Sequence, residues 1–190
     1  MDAPLTYDPL LAALVEPPQS LARGAPPFIM ARGAGRRQLE LATDCLAAAA
    51  YYEARSEGVA GQRAVVQVVL NRVRHPGFPA TICGVVYQGE TAALCQFSFT
   101  CDGSMYRPRD PRAWSAARRL AAEALEGYVY VPVGLATRFH TLDVRPQWSR
   151  SLPRVTAVGS HVFYLESGAG GRSAAFARPS EQISGSRSPA

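Results

Sequence analysis

Two carboxylates, Glu53 and Glu57, interrupt the most apolar part of this chain, the stretch CLAAAAYYEARSEGVAGQRAVVQVVLNRVRHPGFP from Cys45 to Pro79. A glutamate beside Tyr51 and Tyr52 at the end of an alanine-rich helix loses solvation, which raises its pKa. A carboxyl group still protonated near neutral pH can give its proton to a leaving oxygen, as glycosidic bond cleavage requires. The competing reading pairs Glu53 with Arg55 or Arg63 on a solvated face. Glu57 falls one helical turn further on, where a continuous helix would put both carboxylates on one face. Gly58 and Gly61 argue that the helix has ended by then, so the first reading of Glu57 is structural: a cap for the next helix or a partner for an arginine.

The elements that must position these groups can be read from periodicity and caps. One helix is expected over about Cys45 to Arg55, capped by Asp44. A second runs from about Gly61 to Arg74, with Ala64, Val65, Val68, Val69 and Val73 at helical spacing, and is stopped by Pro76 and Gly77. Thr81 to Gln88 suits a short helical turn. The segment CQFSFTCDGS alternates polar and aromatic residues before Asp102 and Gly103, which predicts a strand or hairpin ending in a turn. A third helix fits Pro111 to Glu126, with Asp110 as cap, proline at the first helical position and Gly127 at its end. GLATRFHTL and AVGSHVFYL read as strands.

Composition narrows the class. A chain of 190 residues with 47% apolar content suits one compact domain. Residues 1–40 and 167–190 are mixtures of Pro, Gly, Ser and Arg expected to stay flexible, leaving a folded unit over 41–166. All 20 basic residues are arginine and they are scattered, so the net charge of +5 does not mark a nucleic-acid surface. Neither a secretory signal nor a membrane span is legible: Asp2 and Asp8 stand where a signal peptide carries positive charge. Cys45, Cys83, Cys95 and Cys101 lack CxxC spacing, which favours two disulfides and an oxidising compartment over a metal site, the alternative being free buried thiols. Of three connectivities, Cys83–Cys95 with Cys45–Cys101 is preferred, since the second would tie the β element to the helix carrying Glu53.

The ordered motifs YYEARSEG, GQRAVVQVVLNRVRHPGFP, ICGVVYQGE, CQFSFTCDG, ATRFH and VGSHVFY resemble the SleB-type cell wall hydrolases, the family of spore-cortex-lytic enzymes and their proteobacterial relatives. The resemblance covers about Cys45 to Tyr164. It implies a lysozyme-like α+β single domain, helices packed around a small antiparallel β element, acting on peptidoglycan glycan strands. It further implies a lytic transglycosylase with Glu53 as the one catalytic acid/base and no cofactor or metal. Glu53 would protonate the glycosidic oxygen, then take the proton of the muramic acid C6 hydroxyl as that oxygen attacks C1. The alternatives are a muramidase or glucosaminidase that uses water, with Glu57 assisting, and a noncatalytic wall-binding protein.

In that reading Tyr52, Glu57, Gln96, Phe97, Ser98, Arg138, His140, Trp148 and His161 line the substrate groove. Gln96 and Ser98 would share one face of a strand and bond sugar hydroxyl or N-acetyl groups, while Tyr52, Trp148 and Tyr164 are candidates to stack on sugar rings. Pairing of the two late strands would bring His140 and His161 together. Relatives commonly show Thr-His-aromatic-His where this chain has Thr137-Arg138-Phe139-His140, which weakens any metal site and offers a guanidinium to an acidic wall group. A periplasmic or other cell-envelope location is implied, without a visible export signal.

Overall fold

The computed structural model describes residues 24–30, 34–91 and 94–178. Among the described residues there are four α-helices: α1 (Arg36–Ala54), α2 (Gly58–Arg74), α3 (Ile82–Val86) and α4 (Pro111–Leu125). They precede three short strands, β1 (Arg138–Thr141), β2 (Arg154–Val158) and β3 (His161–Tyr164). The strands form an antiparallel sheet in the order β1-β3-β2.

α1 is the central helix, and its composition explains why. Ala47, Ala48, Ala49 and Ala50 are all buried, and side chains this small let α2, α3 and α4 approach its backbone closely. Around them Leu46, Tyr51, Val65, Val69, Leu70, Ile82, Val86 and Leu125 make one apolar core. A second joins the other side of α2 to the sheet through Ala64, Val68, Val133, Val155, Phe163 and Leu165. Phe139 packs against both clusters.

Several expected boundaries are corrected. α1 begins at Arg36, so Asp44 is not a cap but lies along the helix, 2.8 Å from Arg118. A 3-10 turn over Arg55–Glu57 separates α1 from α2, and Gly58, at φ +67°, makes the corner. CQFSFTCDGS is no hairpin: a loop leads into a 3-10 turn at Ser98–Thr100, and Asp102 accepts a bond from the backbone of Ser104. The alternation is nonetheless real, with Phe97 and Phe99 buried and Gln96 and Ser98 exposed. AVGSHVFYL spans the turn of a hairpin, from the end of β2 through β3. Asp110 does cap α4, accepting from Ala113 N at 2.7 Å.

The packed unit also reaches beyond 41–166. Phe28 is buried, and Arg74 donates to the carbonyls of Pro26 and Pro27, which a proline-rich stretch leaves free of internal bonds. At the other end Phe176 is buried beside His75, whose Nε2 donates to Gly170 O at 3.2 Å, and Arg178 donates to Phe78 O at 2.9 Å. Segments 1–23 and 179–190 lie outside the described residues.

Two disulfides are present, with a different pairing from the one preferred above: Cys45–Cys83 and Cys95–Cys101. The physical reason is the length of α1. Cys45 sits mid-helix facing α3, which starts at Ile82, whereas Cys101 closes its own short loop. Cys45–Cys83 spans 38 residues, a loop long enough to restrict the unfolded chain substantially. Replacing Cys45 and Cys83 together by alanine should therefore cost roughly 2–4 kcal/mol in denaturant unfolding, and opening Cys95–Cys101 should cost less, because its loop is short.

Candidate active site

Glu53 occupies the last turn of α1, half-buried between α2 and the sheet. It does not pair with either neighbouring arginine: Arg55 donates to Tyr51 Oη at 2.9 Å, and Arg63 binds Glu123 and Tyr128. Among the described residues it makes no hydrogen bond or ion pair. Burial pushes its carboxyl group above the ordinary value, and the charges of Asp102 and Glu57 push the same way. Those of His161 and Arg72 oppose them without cancelling the effect.

Glu57 is held quite differently. Its side chain is 8% exposed, and its carboxylate accepts bonds from Ser160 Oγ and, at 2.9 Å, from His161 Nδ1. It neither caps α2 with its side chain nor meets an arginine, the two structural roles read from sequence. Two glycines make room for it: a Cβ on Gly61 would lie 2.7 Å from Glu57 Oε2, and one on Gly159 2.6 Å from it. Gly159 also has φ +57°, the left-handed conformation of the β2–β3 turn. The turn thus closes onto the corner between α1 and α2.

The strand register separates the two histidines expected to meet. His140 pairs with Val162 and Thr141 with His161, so the imidazoles project from opposite sheet faces. On the inner face, His161 is 2% exposed and meets Phe139 edge-on with ring centres 5.0 Å apart. On the outer face, His140 stacks on Tyr164 and bonds its hydroxyl at 2.9 Å, with Trp148 edge-on to both rings. Arg138 shares that face but is not free for a ligand carboxylate: its Nε lies 2.8 Å from Glu166, and its guanidinium sits 5.8 Å from the Trp148 ring.

Of the other groove candidates, Gln96 and Ser98 are exposed, whereas Phe97 is 2% exposed and belongs to the core. Its aromatic neighbours and the short 95–101 loop turn it inward. Tyr52 stacks on Phe99 at 4.7 Å and its hydroxyl accepts from Arg109. Sequence reasoning missed Arg72, Ser160, Gly159 and Glu166. Arg72 is 3% exposed, donates from Nε to Thr137 O at 2.7 Å, and lies 5.4 Å from the ring centres of both Phe78 and Phe97. Burial lowers its pKa to about 10, with Arg138 acting in the same direction and Glu53 and Glu166 against it. A charged residue at an apolar helical spacing, Arg72 following Val68 by four, was the available signal.

Among the described residues no group of three or more His, Cys, Asp or Glu side chains is placed to hold a metal, and no helix is long and apolar enough to cross a membrane.

A carboxyl group kept partly from water at the end of a helical core, beside a small antiparallel sheet, defines a class: an α+β domain with an acid where helices meet sheet. A model described as Cell Wall Hydrolase matches residues 56–164, more than half of the chain, and the protein belongs to that family. Glu53 stands just before the matched span. The catalytic domain of the germination-specific lytic transglycosylase SleB from Bacillus anthracis superposes with a TM-score of 0.55 at 27% identity, covering 71% of this chain and 99% of that one. The Bacillus cereus SleB catalytic domain gives 0.53 at 26%, covering 71% and 94%. The lysozyme-like α+β fold implied by the resemblance is the one observed. A spore cortex-lytic enzyme of Halalkalibacterium halodurans is 35% identical over 62% of this chain and 33% of its own length. One from Bacillus cereus is 28% identical over 78% and 50%. The chain therefore spans a third to a half of these curated relatives.

The raised pKa of Glu53 has a stability cost with a defined sign. Below the ordinary carboxyl range the group is protonated whether folded or not and contributes nothing. As pH rises through the unfolded value and then the raised folded value, the unfolded state loses its proton first and is favoured. Glu53→Gln should consequently raise the melting temperature at pH 7, with the gain vanishing near pH 3. Gly159→Ala should destabilise the fold by more than about 1 kcal/mol in denaturant unfolding, since the new methyl meets both a positive φ and the Glu57 carboxylate.

Proposed function

We propose that this chain cleaves the glycan strands of peptidoglycan as a lytic transglycosylase, with Glu53 as its single acid/base. The observation that carries the reading is the contrast between the two glutamates. Glu57 has its carboxylate committed to Ser160 and His161, while that of Glu53 is unpartnered and shifted towards the protonated form.

The chemistry follows from that state. Protonated Glu53 gives its proton to the glycosidic oxygen as the bond to C1 breaks, and the positive charge that develops on the sugar ring is opposed by the new carboxylate. The same carboxylate then removes the proton of the C6 hydroxyl as that oxygen bonds C1, closing a 1,6-anhydro ring and restoring the acid. One group serves both halves without water or a cofactor. Gln96 and Ser98 are exposed and carry the groups to bond sugar substituents, and Tyr52 precedes Glu53 on α1 and would form the wall beside it. Trp148, His140 and Tyr164 form an aromatic surface on the other sheet face, suited to a more distant part of a long polymer. Family membership and the two disulfides support a cell-envelope location, in the periplasm where the cell has one.

Asp102 favours a second reading. Its bonds with Ser104 hold its carboxyl below the ordinary range, while its charge helps raise that of Glu53. Two carboxyl groups pushed apart in this way suit a hydrolase, one as acid and one as base.

Product analysis separates the readings. Sacculi digested by the wild type should release anhydro-muropeptides, and Glu53→Gln should lose at least about 100-fold in rate while remaining folded. Reducing ends that disappear in Asp102→Asn would establish hydrolysis instead. Bound protein on intact sacculi would overturn both in favour of a binding module.

A further inference from the structure

Most arginines whose guanidinium groups are fixed in this fold meet a carboxylate or a backbone carbonyl. Arg63 meets Glu123, Arg118 meets Asp44 and Arg138 meets Glu166, while Arg72, Arg74 and Arg178 donate to carbonyl oxygens. Two are held otherwise, and both stand at the end of α1 that carries Glu53. Arg55 gives Nη1 to the hydroxyl of Tyr51 at 2.9 Å, with its guanidinium 5.1 Å from that ring centre. Arg109 gives Nε to the hydroxyl of Tyr52 at 3.2 Å, and its guanidinium lies 4.1 Å from the ring centre of Trp114.

The two arginines meet at one corner. The Tyr51 hydroxyl that takes Arg55 also takes the backbone N–H of Asp110 at 2.9 Å, and Asp110 directly follows Arg109. The rings of Tyr51 and Tyr52 meet edge-on with centres 4.9 Å apart, and Trp114 stands edge-on to Tyr51 at 5.8 Å. Three packed aromatic side chains thus fix both guanidinium groups, and one of them, Tyr52, is the residue before Glu53.

A phenol oxygen anchors a guanidinium without neutralising it. Both arginines are exposed, and neither takes part in an ion pair among the described residues. The carboxylate next in sequence is committed to a helix cap, since Asp110 accepts from Ala113 N at 2.7 Å. Arg109 retains the edge formed by its two Nη groups, and Arg55 the edge formed by Nε and Nη2. Each is the fork that takes both oxygens of a carboxylate. The loop that brings Arg109 here also carries Tyr106, which is 91% exposed.

We propose that Arg55 and Arg109 form a subsite for the free carboxylates of the peptide stems of peptidoglycan. Where the lactyl group of muramic acid is in amide linkage to its peptide, the sugars are neutral, so the charge available to such a pair is on the stem. The Tyr52 ring separates the backbone beside Glu53 from the Arg109 guanidinium by a distance comparable to one sugar residue. This rests on Glu53 cleaving the glycan, and it supplies the acidic-group contact that Arg138, bonded to Glu166, does not offer.

The test is binding of soluble glycan strands carrying peptide stems, prepared with stem carboxyls either free or converted to amides. The two forms match in sugar and size and differ in charge. With Glu53→Gln as the parent, so that the strands survive, the free-acid form should bind about fivefold more tightly than the amidated form. Adding Arg55→Gln and Arg109→Gln together should abolish that difference, while Arg109→Lys, which keeps the charge, should retain part of it. Arginines that merely held the tyrosines in place would, once replaced, weaken both forms equally with the preference intact, and that result overturns the proposal. Equal binding of both forms by the parent overturns it as well. The two readings fail separately: equal binding while the wild type still cleaves counts against the subsite alone. A charge-dependent preference in a wild type that does not cleave supports the subsite and counts against the cleavage reading.

Discussion

A buried polar ladder along α2 is the constraint on which the site depends. Gln67 takes the N–H of Tyr130 at 3.0 Å and donates to Asn71; Asn71 donates to the carbonyls of Gly134 and Ala136; Arg72 donates to that of Thr137. These side chains satisfy a backbone stretch, residues 130–137, that belongs to no strand or α-helix and would otherwise be buried with orphaned groups at about 1–3 kcal/mol each. The ladder therefore decides where β1 begins. β1 fixes β3 by antiparallel pairing, β3 carries His161, and the turn before it closes on Glu57. A one-residue slip of β3 would turn His161 to the outer face and away from Glu57, so the polar ladder acts at a distance on that contact.

Much of the helical frame was legible because caps and periodicity act locally. Asp110 and Pro111 start α4, Thr81 caps α3, and the valine spacing marks the buried face of α2. The placement of Glu53 was legible for the same reason: it stands in the last turn of an alanine-rich helix and is half-buried there. What failed was non-local. The disulfide pairing depends on which helix faces Cys45, and α1 proved longer than its capping signal suggested because Gly35 begins it. CQFSFTCDGS does alternate, with Phe97 and Phe99 buried and Gln96 and Ser98 exposed, but it does so in a loop closed by Cys95–Cys101 rather than in the expected strand, and Phe97, expected in the groove, lies in the core. The Glu57–Ser160–His161 cluster joins residues more than a hundred positions apart, and no spacing rule connects them.

The site balances two opposed requirements. Desolvation raises the carboxyl of Glu53 above the ordinary glutamate value, and it is the largest effect there. Buried positive charge nearby prevents that effect from running to completion. Arg72 bears part of the cost, being itself depressed by burial and offset by Glu53 and Glu166. Its enclosure by Phe78, Phe97 and Phe139 is how a guanidinium remains in the interior: the ring faces replace some of the stabilisation lost with water. Phe97, buried in the core, is one of the rings that enclose Arg72.

The arginine at position 138 now has a local explanation. It stands on the face of β1 away from His161, bonded to Glu166, which also accepts from Thr137 at 3.2 Å. An imidazole there would be too short to span to Glu166 and to cover Trp148 at once, whereas a guanidinium does both. The substitution adds positive charge close to Arg72 and depresses it further, and Glu166 compensates on the same side. The departure from Thr-His-aromatic-His is thereby absorbed outside the inner face, leaving the Glu53, Glu57 and His161 arrangement without a direct contact to it.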